Sequence, residues 1–273
     1  MIRKILIANR GEITCRIIRT CREMGIHTVS VFADADSQAL HVEMADEAMH
    51  LGGNSAAESY LNGEKIINAA QRTGADAVHP GYGFLAENAS FAQMVIDAGL
   101  IWIGPAPSAI EAMGKKREAK RMLKDVPLVP GYSGDNQQDE TFISEAGKIG
   151  YPVMIKASAG GGGKGMRRVD SVADISDALA TARREAKQAF GDDTLILEKL
   201  IENPRHIEIQ IFGDAQGNVI ALGERECSIQ RRHQKIIEEA PSPFINPALR
   251  QKMGEVAINI GTQLGYTNAG TVE

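Results

Sequence analysis

The sequence predicts an α/β protein that begins with a parallel sheet covered by helices on both faces. Short apolar runs rich in β-branched residues, such as "KILIAN" and "HTVSVF", alternate with segments whose apolar residues have helical spacing. This alternation is typical of βαβ units and a parallel sheet. The chain has 273 residues, 43% apolar and 24% charged, which is the composition of one large globular domain or about two ordinary ones.

The first unit is predicted to consist of such strand–helix repeats and to close between Pro105 and Lys116. Its strands are "KILIAN", "HTVSVF", "ADAVH" and "LIWIG", and its later helices are "EKIINAAQRTG" and "FAQMVIDAG". The first helix carries apolar residues at helical spacing: Ile13, Ile17, Cys21 and Met24. Gly25 and Gly74 follow two of these helices in the C′ position, where glycine ends a helix most readily.

A second unit follows a helix that starts near Lys116 and the Pro/Gly-rich connection "DVPLVPGYSG". It is predicted to contain the helix "ETFISEAGKIG", the strand "YPVMIKAS", the short strand "GMRRV" and the strand "DTLILEKLI". Between the last two strands, Ser171 and Asp174 suggest a capping box for a helix that runs to Phe190. One face of that helix is predicted to be apolar: Val172, Ile175, Leu179 and Ala182.

The last part of the chain is predicted to form alternating strands and one more helix. "RHIEIQIFGD" and "GNVIALGERE" alternate polar and apolar residues around a glycine-containing turn. Asn246 and Pro247 predict the start of a helix that runs to Leu264. The chain then stops within "GTVE", which reads as a strand just beginning.

Charge and cysteine content exclude several classes of function. The net charge of −5 gives no basic excess for binding nucleic acid. Cys15, Cys21 and Cys227 form neither an even framework nor a C-x-x-C motif, which favours a reducing compartment. The first residues show no pattern of a targeting signal, and the apolar runs are far shorter than the ~20 residues of a membrane helix. We therefore expect a cytoplasmic protein without nucleic-acid or membrane partners.

The glycine run in "ASAGGGGKG" predicts a hairpin tip whose backbone N–H groups close over an anion. A phosphate-binding Walker loop is excluded because Ser158 occupies the position of its first glycine and Gly165 follows Lys164. A dinucleotide fingerprint is also excluded, because Gly11 is the one glycine after the first strand. The alternative is a plain flexible loop without a ligand.

Polar side chains on the later strands are candidates for a binding site. His206, Glu208 and Gln210 share one face of a strand, which is either the floor of a site or a solvated edge. Further along, "GERECSIQRRHQK" gathers cations among glutamates: Arg225, Arg231, Arg232, His233 and Lys235. They suit a small anion or phosphate, although a self-neutralising solvated stretch has the same composition. The loop "HPGYG" is equally well interpreted as a ligand loop or as a simple turn.

Seven ordered motifs make the chain resemble the biotin carboxylase family from residue 1 to its end: "ANRGEI", "HPGYGFLAEN", "KASAGGGGKG", "LEKLIENPRHIEIQ", "GERECSIQRRHQK", "EEAPSP" and "GTVE". This family is the ATP-grasp component of acetyl-CoA carboxylase and related biotin-dependent carboxylases. The resemblance implies that ATP phosphorylates bicarbonate to carboxyphosphate, and that biotin on a carrier protein is then carboxylated. Four segments are implied: a Rossmann-like domain (1–115), a helical linker (116–130), the ATP-grasp lid (131–203) and the first part of the large ATP-grasp subdomain (204–273).

The resemblance also implies roles for individual residues. Lys235 is expected to contact bicarbonate, and Glu273 to be the first of two glutamates that bind Mg²⁺ or Mn²⁺. The ATP contacts are expected to include Lys116, Lys156, Gly162, Gly163, Glu198, Lys199, Leu200, Ile201, His206, Gln230 and His233. The implied partners are bicarbonate, a biotin carboxyl carrier protein and a carboxyltransferase, with a homodimer in the full-length protein.

Departures from the family pattern leave other interpretations open. Ala159 and Lys164 replace a glycine and an arginine found in some members, and a motif of the type E-x-N-x-R-x-Q-V-E-H is not in the chain. We therefore expect an amino-terminal piece of a longer protein that does not carboxylate biotin by itself. A non-catalytic nucleotide-binding module and another ATP-grasp ligase, such as a carbamoyl-phosphate synthetase domain, are the alternatives. The final carboxyl acceptor is left undetermined.

Overall fold

A computed structural model describes residues 1–114, 116–159, 165–231 and 234–273 of the chain, without the side chains of residues 116 and 118. The described chain divides into two compact units, Met1–Glu111 and Ala112–Glu273. The predicted glycine-loop contacts Gly162 and Gly163, the predicted ATP contact His233 and the side chain of Lys116 lie outside the described residues.

The first unit is a parallel five-stranded sheet with helices on both faces, as the sequence predicts. The sheet order is β3-β2-β1-β4-β5. The strands are β1 (Lys4–Ile7), β2 (His27–Phe32), β3 (Glu47–His50), β4 (Ala77–His79) and β5 (Ile101–Trp102). The helices are α1 (Gly11–Glu23), α2 (Leu40–Met44), α3 (Gly63–Thr73), α4 (Ala89–Asp97) and α5 (Pro107–Gly114), the last of which crosses the boundary between the units.

The side chains of β1 pack alternately into two buried clusters, one on each face of the sheet. Leu6 packs into one buried cluster with residues of β2 and α3, while Ile5 and Ile7 pack into a second cluster with Ile18 of α1. Successive side chains of a strand point to opposite faces, so each face of β1 carries its own core. The sequence analysis did not predict β3 and α2, because "EAMH" and "LHVEM" are too short to give a clear period.

The loop "HPGYG" at the end of β4 is a turn fastened to the end of β1. Asn9 Nδ2 donates hydrogen bonds to the carbonyl oxygens of Pro80 (2.8 Å) and Tyr82 (3.0 Å). Gly81 has φ +66°, and a Cβ there would lie 2.7 Å from the Asn9 amide nitrogen. Both the backbone conformation and the close approach therefore require glycine at this position. These contacts explain the loop by turn chemistry, and a ligand-binding role for it stays a prediction.

The second unit contains two antiparallel four-stranded sheets. One has the order β6-β9-β7-β8 and the other β12-β11-β10-β13. The strands are β6 (Gly131–Tyr132), β7 (Val153–Ala157), β8 (Arg167–Val169), β9 (Leu195–Lys199), β10 (Ile207–Gly213), β11 (Val219–Arg231), β12 (Gln234–Glu239) and β13 (Asn268–Val272). The helices are α6 (Lys116–Met122), α7 (Asp139–Ile149), α8 (Ile175–Phe190) and α9 (Pro247–Gln263).

Helices α7 and α8 cover one face of the sheet β6-β9-β7-β8. Phe142 of α7 and Leu179 of α8 are fully buried against Ile155 of β7 and Leu197 of β9. The predicted start of α8 is wrong: the Ser171 hydroxyl donates to the Asp174 carboxylate at 2.6 Å, and the helix begins only at Ile175. Val172 therefore lies in the preceding turn and is 62% exposed instead of facing the core.

The sheet β12-β11-β10-β13 rests on α9. Ile209 and Ile211 of β10 pack against Ala257 of α9, and Asn246 caps this helix by accepting a hydrogen bond from the Leu249 N–H at 2.9 Å, as predicted. Of the segment "GERECSIQRRHQK", residues 223–231 belong to β11 and residues 234–235 to β12, and these two strands pair antiparallel. The predicted terminal strand starts earlier than "GTVE": β13 begins at Asn268 and pairs antiparallel with β10.

A buried carboxylate ties β11 to the segment that precedes α9, and it makes stability depend on pH. Glu226 accepts hydrogen bonds from Ser242 (2.6 Å), Arg205 (2.8 Å) and Ser228 (2.8 Å). These bonds lower the pKa of Glu226 from 4.5 to about 2. Since the folded pKa is below the unfolded one, the stabilisation is present above about pH 4.5 and is lost as the pH falls towards 2.

We expect Glu226→Gln to remove this part of the pH dependence. Urea midpoints of both proteins should be measured at intervals from pH 6 to pH 3, and the wild-type midpoint should fall more steeply below about pH 4.5 than that of the variant. Other carboxylates titrate in both proteins, so the difference between the two curves isolates Glu226. Parallel curves would contradict the prediction.

Candidate active site

The predicted site residues of the second unit fall into two groups, one on each sheet. Lys156 and Glu198 lie on β7 and β9, and the group of His206, Glu208, Gln230, Lys235 and Glu273 lies on the sheet β12-β11-β10-β13 or at its ends. Side chains that meet in these groups are 24 (His206 and Gln230) to 67 (His206 and Glu273) positions apart in the sequence and are brought together by strand pairing. The sheets hold the groups on rigid backbone, which suits positioning of a reacting anion.

Lys235 lies at the centre of the second group. Its ammonium donates a hydrogen bond to Glu208 and another to Glu273 Oε1 at 2.7 Å. Burial lowers the pKa of Lys235, but the two carboxylates outweigh burial and raise the pKa above its ordinary value. Lys235 therefore remains a cation at neutral pH. Of its two carboxylate partners, Glu273 is the one open to solvent, because its side chain is 51% exposed.

Glu208 forms the buried floor beneath Lys235. Its side chain is 5% exposed, and Arg225 Nε donates to Glu208 Oε1 at 2.6 Å. Burial raises the pKa of Glu208, but hydrogen bonds from Lys235 and Arg225 hold the pKa below its usual value. Arg225 also donates to Gln210 Oε1 at 3.0 Å. Glu208 and Gln210, predicted to share a face with His206, thus belong to one hydrogen-bonded network with cations from β11 and β12.

His206 presents a ring N–H towards Glu273. Gln230 Nε2 donates to the Cys227 carbonyl oxygen (2.8 Å) and to His206 Nδ1 (3.0 Å). The carbonyl of Cys227 requires the amide nitrogen at this position, so Nδ1 accepts and the neutral ring carries its proton on Nε2. Nε2 lies 3.4 Å from Glu273 Oε1 and, among the described residues, has no hydrogen-bond partner. It is a donor available to a ligand oxygen.

A divalent cation fits this group at Glu273. His206, Glu208 and Glu273 offer ligand atoms that lie within 4.8 Å of one another. Mg²⁺ takes oxygen ligands and usually binds through one or two carboxylates together with substrate phosphates. Glu208 is already held by Lys235 and Arg225, and an imidazole is a poor ligand for Mg²⁺. The half-exposed carboxylate of Glu273 is therefore the group that would hold the ion.

The first group is a carboxylate held between two lysines. Glu198 of β9 accepts a hydrogen bond from Lys156 of β7 and another from Lys120 of α6. Burial raises the pKa of Glu198, but both lysines outweigh burial and lower the pKa. Lys120 is absent from the predicted contacts, although it lies four residues after Lys116, a spacing that places two residues on one face of a helix.

The other predicted ATP contacts on β9 and beyond point in different directions. Lys199 follows Glu198, so its side chain lies on the opposite face of the sheet, where the ammonium donates to the carbonyl oxygens of Gly150 and Tyr151, both at 2.9 Å. Leu200 donates its backbone N–H to Pro152, and Ile201 is 50% exposed. The side chain of Lys199 therefore ties β9 to the turn between α7 and β7.

The fold and these groups define a class: an α/β protein with ATP-grasp architecture, in which two antiparallel sheets carry cations and carboxylates suited to a nucleotide and a small anion. Family models agree with this class. Residues 1–110 match "Biotin carboxylase, N-terminal domain", and residues 115–273 match "Carbamoyl-phosphate synthase L chain, ATP binding domain". The chain belongs to the biotin carboxylase family.

Individual relatives include larger carboxylase subunits. The chain is 57% identical to the mitochondrial methylcrotonoyl-CoA carboxylase subunit alpha of Arabidopsis thaliana, all of the chain matching 37% of that protein. It is 53% identical to the propionyl-CoA carboxylase alpha chain of Ruegeria pomeroyi, over 40% of its length. It is 50% identical to biotin carboxylase 1 of Bacillus subtilis, over 61% of its length. The chain thus spans between about a third and three fifths of these relatives.

Solved structures show the same fold. The complex of Campylobacter jejuni biotin carboxylase with β,γ-ATP superposes with a TM-score of 0.95 at 46% identity, over 99% of this chain and 61% of that one. The biotin carboxylase domain of the Hydrogenobacter thermophilus 2-oxoglutarate carboxylase, in complex with MgADP, ADP and bicarbonate, gives 0.91 at 48% identity, over 99% and 60%. These similarities bear out the predicted fold class and family.

None of the helices in the described part of the chain has the length and apolar character needed to cross a bilayer. The three cysteines, Cys15, Cys21 and Cys227, are free and buried. Burial raises the pKa of Cys227, and the charges of Glu208 and Glu238 raise it further. Cys227 is therefore a packed thiol rather than a nucleophile, as the sequence analysis expected.

Proposed function

We propose that this chain provides the nucleotide- and bicarbonate-binding part of an enzyme that carboxylates biotin on a carrier protein at the expense of ATP. The observation that carries the proposal is Lys235, a cation fixed between the buried Glu208 and the half-exposed Glu273, beside the N–H of His206. Such a cation on a rigid sheet suits a small anion next to a metal-bound phosphate. Family membership and the bicarbonate and ADP named for a solved relative support the same function.

The proposed reaction has two balanced steps. A bicarbonate oxygen attacks the γ-phosphorus of ATP, the bond to the β–γ bridging oxygen breaks, and carboxyphosphate and ADP form. The carboxyl group then passes to N1 of biotin, and inorganic phosphate leaves with the proton that N1 gives up. Phosphoryl transfer depends chiefly on positioning and on neutralising charge, so the cations of this chain are the groups that matter.

In this proposal, Lys235 binds bicarbonate and Lys156, with Lys116 and the backbone at Gly162 and Gly163, binds the triphosphate. His206 donates its Nε2 proton to a substrate oxygen, with His233 in the same pocket, and Glu198 to Ile201 border the adenine. Mg²⁺ or Mn²⁺, held by Glu273, would supply positive charge to neutralise the phosphates. These roles follow the resemblance and agree with the charges and donors described above.

We also propose partner proteins, a cellular location and a class of final carboxyl acceptor. We infer a biotin carboxyl carrier protein or domain, a carboxyltransferase, a homodimer of the full-length protein and a cytoplasmic location. Two of the three relatives reported above are methylcrotonoyl-CoA and propionyl-CoA carboxylase subunits, which favours an acyl-CoA as the final acceptor. Acetyl-CoA carboxylase and fatty acid biosynthesis stay predictions from the sequence.

The test is ADP release by the full-length encoded protein. ATP and Mg²⁺ should be supplied with and without bicarbonate, and with and without free biotin. We expect release to require bicarbonate and to rise with biotin, with carboxybiotin formed in amounts equal to the biotin-dependent ADP. Lys148→Met, at an exposed lysine paired with Glu145, serves as the control that keeps activity. Nucleotide binding without any ADP release would instead indicate a non-catalytic module.

A second candidate is another ATP-grasp ligase. The specific observation in its favour is that residues 115–273 match a model described for the carbamoyl-phosphate synthase L chain. The same assay separates the two, because ADP release that responds to ammonia and not to biotin would favour this candidate. The match of residues 1–110 to the biotin carboxylase N-terminal domain supports the first candidate.

A further inference from the structure

Lys120, which is not one of the predicted site residues, forms an ion-pair bridge with Glu198 and Lys156. One oxygen of Glu198 accepts from Lys120 Nζ and the other from Lys156 Nζ. The three side chains are 21% (Lys120), 11% (Glu198) and 27% (Lys156) exposed, so the bridge is mostly shielded from water. Lys120 belongs to α6, whereas its two partners belong to the sheet β6-β9-β7-β8, so the bridge fastens that helix to the sheet.

The bridge lies on the face of the sheet that is turned away from α7 and α8. Val153, Ile155 and Ala157 of β7 pack into the core with those helices, so Lys156 points to the other face. Lys156 is opposite Ile196 in the register, and Met154 is opposite Glu198. Lys156 and Glu198 are therefore diagonal neighbours, within reach of long side chains. The sheet itself fixes this pair, and Lys120 is the member added from outside.

The bridge has one positive charge more than it has negative charges. Two ammonium groups share a single carboxylate, and the low exposure of all three side chains limits how far water can solvate the surplus charge. A partly buried surplus of positive charge is costly without a counter-ion and attracts an anion. Lys156 is one of the lysines expected to contact the triphosphate, so an anion is available in the proposed function.

We propose that Lys120 is a positioning residue for the nucleotide, which acts on Lys156 through Glu198. By occupying one oxygen of Glu198, Lys120 prevents this carboxylate from neutralising Lys156 completely, while Glu198 still holds Lys156 in place. Without Lys120, Glu198 and Lys156 form a closed neutral pair, and the triphosphate must compete with Glu198 for the ammonium. This inference rests on the nucleotide site of the proposed function and assigns to it a residue outside the predicted contacts.

The first test measures nucleotide affinity in the full-length encoded protein. Calorimetry with a non-hydrolysable ATP analogue and Mg²⁺ should show a Kd about tenfold higher for Lys120→Met than for the wild type, the loss expected for one charge-assisted contact. Lys120→Arg keeps the charge and should restore the Kd to within about twofold. Lys148→Met, the exposed lysine on α7, should leave the Kd unchanged. An unchanged Kd for Lys120→Met with a lower melting temperature would show a merely structural bridge and overturn the proposal.

A double-mutant cycle tests the route through Glu198. In a Glu198→Gln background, Lys120→Met should change the Kd by less than about twofold, because its carboxylate partner is gone. A full tenfold change in that background would mean that Lys120 contacts the nucleotide directly, which also overturns a positioning role. The affinity measurements do not depend on turnover: if biotin-dependent ADP release fails while the affinity differences hold, only the proposed function fails. A wild-type protein that binds no nucleotide would overturn both.

Discussion

Lys235→Met is expected to lower bicarbonate-dependent ADP release by about 100-fold or more, the loss typical of removing a charged group that stabilises a transition state. The methionine side chain keeps most of the volume and removes the ammonium that joins Glu208 to Glu273. The phosphoryl acceptor then loses its cation, and a bicarbonate anion faces two carboxylates. The measurement is kcat/KM for bicarbonate in the ADP-release assay.

Two variants separate charge from folding in this experiment. Lys235→Arg retains a cation with a different shape, so it should recover part of the activity. Lys252→Met, at an exposed position of α9, should behave as the wild type. Melting temperatures of all variants show whether the protein is folded. If folded Lys235→Met retained a third or more of the wild-type kcat/KM, bicarbonate would have to bind elsewhere.

Phe142→Ala is expected to destabilise the sheet β6-β9-β7-β8 and its helices by about 3–5 kcal/mol. Phe142 is fully buried, and its ring contacts that of Tyr132 edge-on, with centroids 5.4 Å apart and an angle of 81°. The guanidinium of Arg183, a residue of α8, lies 5.6 Å from the centroid of the Phe142 ring. Truncation therefore removes an aromatic contact and a cation–π contact and leaves a cavity between α7 and the sheet.

Amide hydrogen exchange reports this loss locally. We expect the amides of β7 and β9 to open together with this sheet and its helices. The loss of stability expected for Phe142→Ala should then make these amides exchange roughly 100-fold faster or more. Phe142→Leu keeps more of the buried volume and should give a smaller acceleration. Because Lys156 and Glu198 lie on β7 and β9, we also expect weaker nucleotide binding by the alanine variant. Unchanged exchange in β7 and β9 would show that Phe142 does not stabilise these strands.

Several elements could be predicted from the sequence because their signals are local. Asn246 and Pro247 mark the start of α9 by themselves. The capping hydrogen bond joins the Asn246 side chain to an N–H only three residues further on, so its signal lies within a short stretch of sequence. Gly25 ends the first helical segment with a positive φ that few other residues adopt. The alternation in β10 placed Glu208 and Gln210 on one face, where both accept from Arg225, since period two is a property of any strand.

Other elements could not be predicted because they depend on partners far along the chain. Ser171 and Asp174 have the spacing of a capping box, but Ser171 donates to the Asp174 carboxylate, which moves the start of α8 and exposes Val172. β3 is a short strand that forms by pairing with β2, and its sequence shows no clear period. In such places several local conformations are close in energy, and tertiary contacts choose among them.

The sequence by itself determined the alternating α/β organisation, the glycine-rich turn chemistry, the family and the residue types available for binding anions. Only the tertiary structure decided which charges meet. Lys235 reaches Glu208 and Glu273 across 27 and 38 residues, and Lys120 reaches Glu198 across 78. The physical reason is that an ion pair depends on distance and burial, which strand register and helix packing set, whereas spacing in the sequence constrains only neighbours within a turn or a strand.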